Sequence, residues 1–171
     1  MIYIKIIDVI GYSGSGKTHF IQKAISMLKK QLNYNIAVIK NVKHHQIDQE
    51  GKDSSLFSVA GATYSIITNN SNDIGVFLKI KEEKFKKLIN WLQNGPFHID
   101  LLITEGFRNL NHPTLLCVKI IEDVEPQLNE NIKMISGLIC SDEKYYEISS
   151  ELPILDLEKN FQKFLEIFNI I

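Results

Sequence analysis

The 171-residue chain has two cysteines, one tryptophan, four prolines and a single arginine, Arg108. With no paired-cysteine spacing, neither a zinc ribbon nor a disulfide framework is expected. Cys117 and Cys140 each sit in an apolar, strand-like run and read as core thiols of a protein kept in a reducing cytoplasm. No apolar run approaches the ~18 residues that a membrane span needs. Lys5 and Asp8 interrupt the first apolar run, which argues against a secretory signal. Neither charge sign prevails, the net charge being -1; the general basic excess of a nucleic-acid-binding surface is missing. Cytoplasmic location, with neither membrane nor nucleic acid as partner, is the expectation.

Apolar residues make up 44% of the chain, enough to bury a core. No internal repeat or linker breaks the pattern, so residues 1–171 read as one nucleotide-binding domain. Ile2 to Ile10 is a short, Ile- and Val-rich run ended by glycine, the pattern of a buried strand. From Gly16 onward Phe20, Ile21, Ala24, Ile25, Leu28 and Leu32 recur at helical spacing. Ile36 to Ile39 is a second strand, with Lys40 at its end. Asn41 to Lys52 reads as a polar loop, and Asp53 as the cap of a helix that stops at Gly61. Tyr64 to Thr68 and Ile74 to Ile80 predict a hairpin, and Glu82 to Asn94 an amphipathic helix. Ile99 to Thr104, Leu115 to Ile121 and Met134 to Cys140 predict further strands, and Leu157 to Phe168 a closing helix. Strands alternating with helices imply an α/β fold of the P-loop NTPase kind: a mainly parallel sheet with helices on both faces and an antiparallel edge hairpin.

Gly11-Tyr-Ser-Gly-Ser-Gly-Lys-Thr18 fits the phosphate-binding loop in full, between a strand and a helix. Its glycines allow backbone conformations closed to other residues and a close approach to phosphate. The N–H groups from Ser13 through Gly14, Ser15, Gly16 and Lys17 to Thr18 are expected to converge on the phosphates at the positive end of the helix. Lys17 is expected to reach the β and γ phosphates, and the Thr18 hydroxyl to ligate Mg²⁺, a cation that prefers oxygen. A second acid is needed near that metal. Glu105 ends the apolar run from Ile99, at the carboxyl end of a strand where ligands of open sheets sit; it is the expected partner of the metal or of a metal-bound water, a solvated glutamate before a turn being the plain alternative. Asp100 lies at the wrong end of the same run.

Arg108 follows Glu105 closely and is a candidate for stabilising charge on phosphate, in its own subunit or across a dimer; a surface arginine is the plain alternative. Lys40, His44, His45 and Lys52 are candidate contacts to phosphate or another anion, with a strand-ending surface lysine for Lys40 and a solvated loop for His44 and His45 as the plain alternatives, and Asp53 serves first as a cap. No Asn-Lys-x-Asp segment marks guanine recognition. Asp142, after a late apolar run, could accept from the donor edge of guanine, or be a turn residue.

Taken together, the loop Gly11–Thr18, Lys40 through His44-His45, Gly51-Lys-Asp-Ser54 with Ala60-Gly-Ala62, and Thr104-Glu-Gly-Phe107 resemble the molybdopterin-guanine dinucleotide biosynthesis protein B family (MobB). The resemblance covers the first two thirds of the chain. It implies a GTP- and Mg²⁺-binding accessory protein of molybdenum cofactor maturation, feeble in GTP hydrolysis and homodimeric. Such a protein would assist the guanylyltransferase that attaches GMP to molybdopterin, with molybdopterin itself a candidate ligand. The segment between His45 and Gly51 is shorter than in many members, and Arg108 stands where lysine is common. Two other readings stay open: a small P-loop kinase or ATP-dependent ligase with its acceptor near Lys40 and His44, and a switch whose Asn41–Lys52 loop orders around the γ-phosphate.

Overall fold

A computed structural model describes residues 4–42, 47–78, 80, 83–141 and 152–171. The elements run β1 (Lys5–Ile10), α1 (Lys17–Leu32), β2 (Ile36–Lys40), α2 (Asp53–Val59), β3 (Tyr64–Thr68), β4 (Ile74–Leu78), α3 (Lys84–Gln93), β5 (Leu101–Glu105), β6 (Thr114–Cys117), β7 (Ile132–Ser136) and α4 (Phe161–Ile167). Short 3₁₀ turns cover Ile121–Asp123, Glu125–Gln127 and Leu138–Ser141. The chain divides into two compact units, Met1–Asn41 with Gly95–Ile171, and Val42–Asn94.

The larger unit holds a five-stranded parallel sheet in the order β2-β5-β1-β6-β7. Sheets of this kind are covered on both faces, so their strands read as continuous apolar runs. Every residue of β5 and β6 is buried, as are Ile7 to Ile10 of β1. One face carries the main core: Ile7, Val9, Leu101, Ile103, Leu115 and Met134 meet the stripe Phe20, Ile21, Ala24 and Leu28 of α1. Each large side chain so buried contributes about 1.5–3 kcal/mol. Phe164 of α4, 1% exposed, closes this core. Its ring centroid lies 5.9 Å from that of Phe20 in an edge-on contact and 5.2 Å from that of Phe168. On the other face Ile10, Leu116, Val118, Ile135 and Ile139 form a smaller cluster. Of this unit's α-helices α1 and α4 pack on the first face; the second cluster includes Ile139, from the Leu138–Ser141 3₁₀ turn, with Ile121 packed against it.

Asp8 lies in the middle of β1 and is 1% exposed. A carboxylate so buried must be paired or hydrogen-bonded. Thr104 Oγ1 donates to its Oδ1 at 2.5 Å, and His112 Nδ1 lies 3.2 Å from its Oδ2. At the amino end of the sheet, Asp100 and Asn35 clasp the starts of β5 and β2. The Asn35 N–H donates to Asp100 Oδ2 at 2.7 Å, and the Asp100 N–H to the Asn35 carbonyl at 2.8 Å. That backbone hydrogen bond, helped by His98, holds the Asp100 carboxyl below its ordinary pKa.

The smaller unit contains α2, the β3–β4 hairpin and α3. The hairpin pairs Tyr64 with Leu78 through Thr68 with Ile74, as a two-stranded sheet of its own. Helix α2 starts one residue earlier than expected: Lys52 occupies the cap position, and Asp53 stands in the first turn. There its charge still favours the helix dipole. Ser54 Oγ donates to Asp48 Oδ1 at 2.6 Å and ties the approach loop to this helix.

The apolar runs Leu115 to Ile121 and Met134 to Cys140 are strands only in part. β6 stops at Cys117 and β7 at Ser136, each followed by a 3₁₀ turn. Gly137 breaks the second run at φ 99°, a left-handed conformation that other residues rarely adopt. The closing helix likewise begins at Phe161; Leu157 is buried in the segment before it.

Candidate phosphate-binding site

At the β1–β6 boundary the chain leaves β1 toward β2 on one side and leaves β6 toward β7 on the other. The carboxyl ends of strands beside such a reversal form a ligand crevice. The loop Gly11 to Gly16 leaves β1 there. Gly11 takes φ 143°, and a Cβ at that position would stand 2.1 Å from the Cys117 carbonyl oxygen. Any side chain would therefore push the loop off β6. Gly16, at φ 92°, turns the chain into α1. The first N–H groups of a helix have no acceptor within it, so those of Lys17, Thr18 and His19 point along the axis toward the crevice.

Lys17 Nζ donates to the Tyr12 carbonyl at 2.7 Å, folding back across its own loop. Partial burial lowers its pKa, the neighbouring Lys40 and Arg108 add to the lowering, and Glu105 opposes it. Thr18 Oγ1 donates to Glu105 Oε1 at 3.3 Å. Lys40 Nζ lies 3.0 Å from the same Oε1. Glu105 is 7% exposed, so its charge is held in a protein environment beside these partners. Thr18 hydroxyl and Glu105 carboxylate are hard oxygen donors side by side, which suits Mg²⁺ completed by phosphate oxygens and water.

Arg108 reaches the same loop. Its guanidinium carbon stands 5.5 Å from the centre of the Tyr12 ring, and Nη2 donates to Gln127 Oε1 at 2.8 Å. Gln127 is buried and donates in turn to the Asp123 carbonyl at 2.7 Å. The arginine is thus held at the loop from one side, with its guanidinium over an aromatic ring.

The structure brings Lys17, Thr18, Lys40, Glu105 and the Arg108–Tyr12 pair to one end of the sheet. Lys40 had been read toward an anion; its present partner is the Glu105 carboxylate. His44, His45 and Asp142 lie outside the described residues. Lys52 and Asp53 open α2 in the smaller unit.

Two participants were not singled out from the sequence. Tyr12 occupies a loop position open to any residue, so nothing in the motif marks it. Gly137 had a signal, the Ser-Gly step after an apolar run, but the apolar residues beyond it concealed the turn. A Cβ on Gly137 would stand 2.4 Å from the Ser15 carbonyl oxygen, and the Leu138 N–H donates to that oxygen at 3.2 Å. The phosphate loop is therefore seated directly on the turn after β7.

The sequence pattern of the family described as Molybdopterin guanine dinucleotide synthesis protein B, MobB, matches residues 6–140. The chain belongs to the MobB family. The Haemophilus influenzae molybdopterin-guanine dinucleotide biosynthesis adapter protein is 31% identical over 164 residues, covering 91% of this chain and 83% of that one. A Methanocaldococcus jannaschii relative is 28% identical over 151 residues, which span 77% of this chain but only 61% of its own. Among solved structures, Bacillus subtilis MobB superposes with a TM-score of 0.71 at 22% identity, over 96% of both chains. The MobB homolog from Bacillus stearothermophilus gives 0.67 at 18% identity over 97% of both. At these identities the structures speak for the fold: a MobB-type, P-loop NTPase-like parallel sheet with a small antiparallel hairpin.

Proposed function

We propose that this MobB-family chain is a GTP·Mg²⁺-binding accessory protein of molybdopterin guanine dinucleotide synthesis, with slow GTP hydrolysis of its own. One observation carries the reading: Thr18 and Glu105 adjoin at the mouth of a complete phosphate loop, with Lys17, Lys40 and Arg108 around them. Lys17 and the loop amides of Gly11 to Thr18 hold the phosphates, while Thr18 and Glu105 hold the metal. Arg108 approaches the γ-phosphate side. Both units serve one nucleotide-binding protein, and its place is the cytoplasm.

The accessory role rests on family membership and on the adapter relatives. Lys40 in the larger unit, and Lys52 and Asp53 in the smaller, are each proposed as contacts to the molybdopterin cofactor or the guanylyltransferase partner, and the sequence alone puts forward His44 and His45 for the same role. Exposed apolar side chains on the smaller unit, among them Phe57, Val59, Ile66 and Ile74, support a protein partner or a second copy of this chain. Sedimentation of the purified chain tests the homodimer.

Calorimetry with GTP, ATP and GDP, each with Mg²⁺, tests the central reading. Clear GTP binding with turnover slower than about one per minute, well below ordinary enzyme rates, is expected. Preference for ATP, or rapid phosphoryl transfer to a small acceptor, would replace this reading with the kinase or ligase one.

A further inference from the structure

Beside the phosphate loop, on the β7 side, lies a cleft of about 120 Å³. One wall is the start of α1, with Gly16 and His19; the floor is the turn Gly137–Leu138; the far wall is Asp156 with the segment after it. The Leu138 N–H to Ser15 carbonyl hydrogen bond fixes the floor to the phosphate loop itself. A nucleotide whose phosphates lie at the α1 N-terminus has its ribose and base directed away from the γ-phosphate end. Lys40 and Glu105 stand on that γ side, toward β2. The cleft lies on the other side of β1, where the base must go.

We infer that this cleft is the nucleobase subsite and that the Asp156 carboxylate is its guanine-reading group. The inference rests on the phosphate-loop reading above and adds the residue that selects the base. Leu138, 41% exposed, supplies an apolar surface for a ring. Asp156 supplies the polar reader. Its Oδ1 accepts the N–H groups of Glu158 at 2.9 Å and Lys159 at 3.1 Å, which locks the side chain in place on a tight turn. Among the described residues no hydrogen bond reaches the second carboxylate oxygen, which keeps its acceptor capacity. Guanine presents N–H donors at N1 and N2; adenine presents a lone pair at N1, which a carboxylate repels. Lys23 and Glu158, 2.6 Å apart, pair beside the same cleft. The Asp156 carboxylate therefore favours guanine for the same reason that it would reject adenine.

The test exploits xanthine, which has a carbonyl oxygen where guanine has its amino group. Asp156→Asn keeps an amide oxygen for the turn N–H groups and offers an NH₂ to that carbonyl. Binding of GTP, XTP and ATP to the full chain is measured by calorimetry for wild type, Asp156→Asn and Asp142→Asn, with thermal melting as a folding control. Wild type should prefer GTP to ATP. Asp156→Asn should melt like wild type, lose at least about tenfold in GTP affinity and gain about tenfold for XTP, as expected for one hydrogen bond to a charged group. Unchanged GTP affinity in Asp156→Asn, or the exchange of preference appearing in Asp142→Asn instead, would overturn the assignment while leaving the phosphate loop intact. Wild type that binds no triphosphate at all would overturn the phosphate-loop reading, and this assignment with it.

Discussion

Lys40 and Glu105 are register partners at the ends of neighbouring strands, and their charged groups meet at 3.0 Å. The same carboxylate accepts from Thr18. In this arrangement an ammonium group holds the oxygen that a metal would need. Lys40→Ala should therefore lower the Mg²⁺ concentration required for half-maximal nucleotide binding by about threefold, since a half-exposed pair is worth at most about 1 kcal/mol. Titrating Mg²⁺ at fixed GTP measures it. A higher Mg²⁺ requirement would mean that Lys40 supports the metal-bound state instead.

Lys17→Ala should abolish most nucleotide affinity, by about a hundredfold or more, because the ammonium answers phosphate charge directly. Without nucleotide the variant should melt no lower than wild type at neutral pH. The sign follows from linkage: the folded-state pKa lies below the ordinary value, so protonated Lys17 disfavours the folded state. That penalty is present below the folded pKa and is relieved as pH rises through it toward 10.5. Wild type should gain stability relative to the variant over that window, and melting curves from pH 7 upward would show it.

Gly137→Ala should be severe. Its Cβ would stand 2.4 Å from the Ser15 carbonyl oxygen and 2.9 Å from that of Val118, at a φ of 99°. Strain plus displacement should cost about 2 kcal/mol or more. The displaced neighbour is the phosphate loop, so nucleotide affinity should fall together with the denaturation midpoint. Full affinity in a destabilised variant would show that the loop holds its shape without this support.

Asp8→Ala should destabilise by about 3 kcal/mol in urea unfolding, because it leaves the buried Thr104 hydroxyl and His112 without their carboxylate. Thr104→Val removes one donor and should cost less, about 1.5–3 kcal/mol. Equal losses in both variants would argue that His112 adds nothing to the pair.

Asp100→Ala should cost about 1 kcal/mol at neutral pH by releasing the Asn35 N–H. Since the folded-state pKa of Asp100 is lowered from 3.8, its contribution is present above that value and lost as pH falls through the folded-state pKa. The variant's acid-unfolding curve should accordingly be flatter than that of wild type below pH 4.

Much of this was legible in the residues. Strand β1, the loop and α1 follow from an apolar run, a glycine pattern and a clean helical period. Glu105 could be placed because an acid that ends a buried strand has one exit, the carboxyl end of the sheet. What misled was continuous hydrophobicity. Leu138 to Cys140 are as apolar as β7, and Ile139 is fully buried, yet they form a 3₁₀ turn. Burial is what the composition encodes, and a packed turn buries apolar side chains as well as a strand does. Leu157 extended the apparent last helix for the same reason.

By itself the sequence determined the parallel α/β class, the phosphate loop and the acid opposite it, because each is a local pattern read against one neighbouring element. Only the tertiary structure decided which side chains share that acid. Lys40 meets Glu105 because β2 lies beside β5, across more than sixty residues of chain. Arg108 meets Tyr12, and Gly137 meets Ser15, through connections that no spacing in the sequence expresses. Asp156 is the furthest case: an ordinary turn residue in its own segment, it lines a cleft with Gly16 only because the chain after β7 packs against the start of α1. Periodicity records which face of an element is buried; strand order and loop packing decide what that face is buried against.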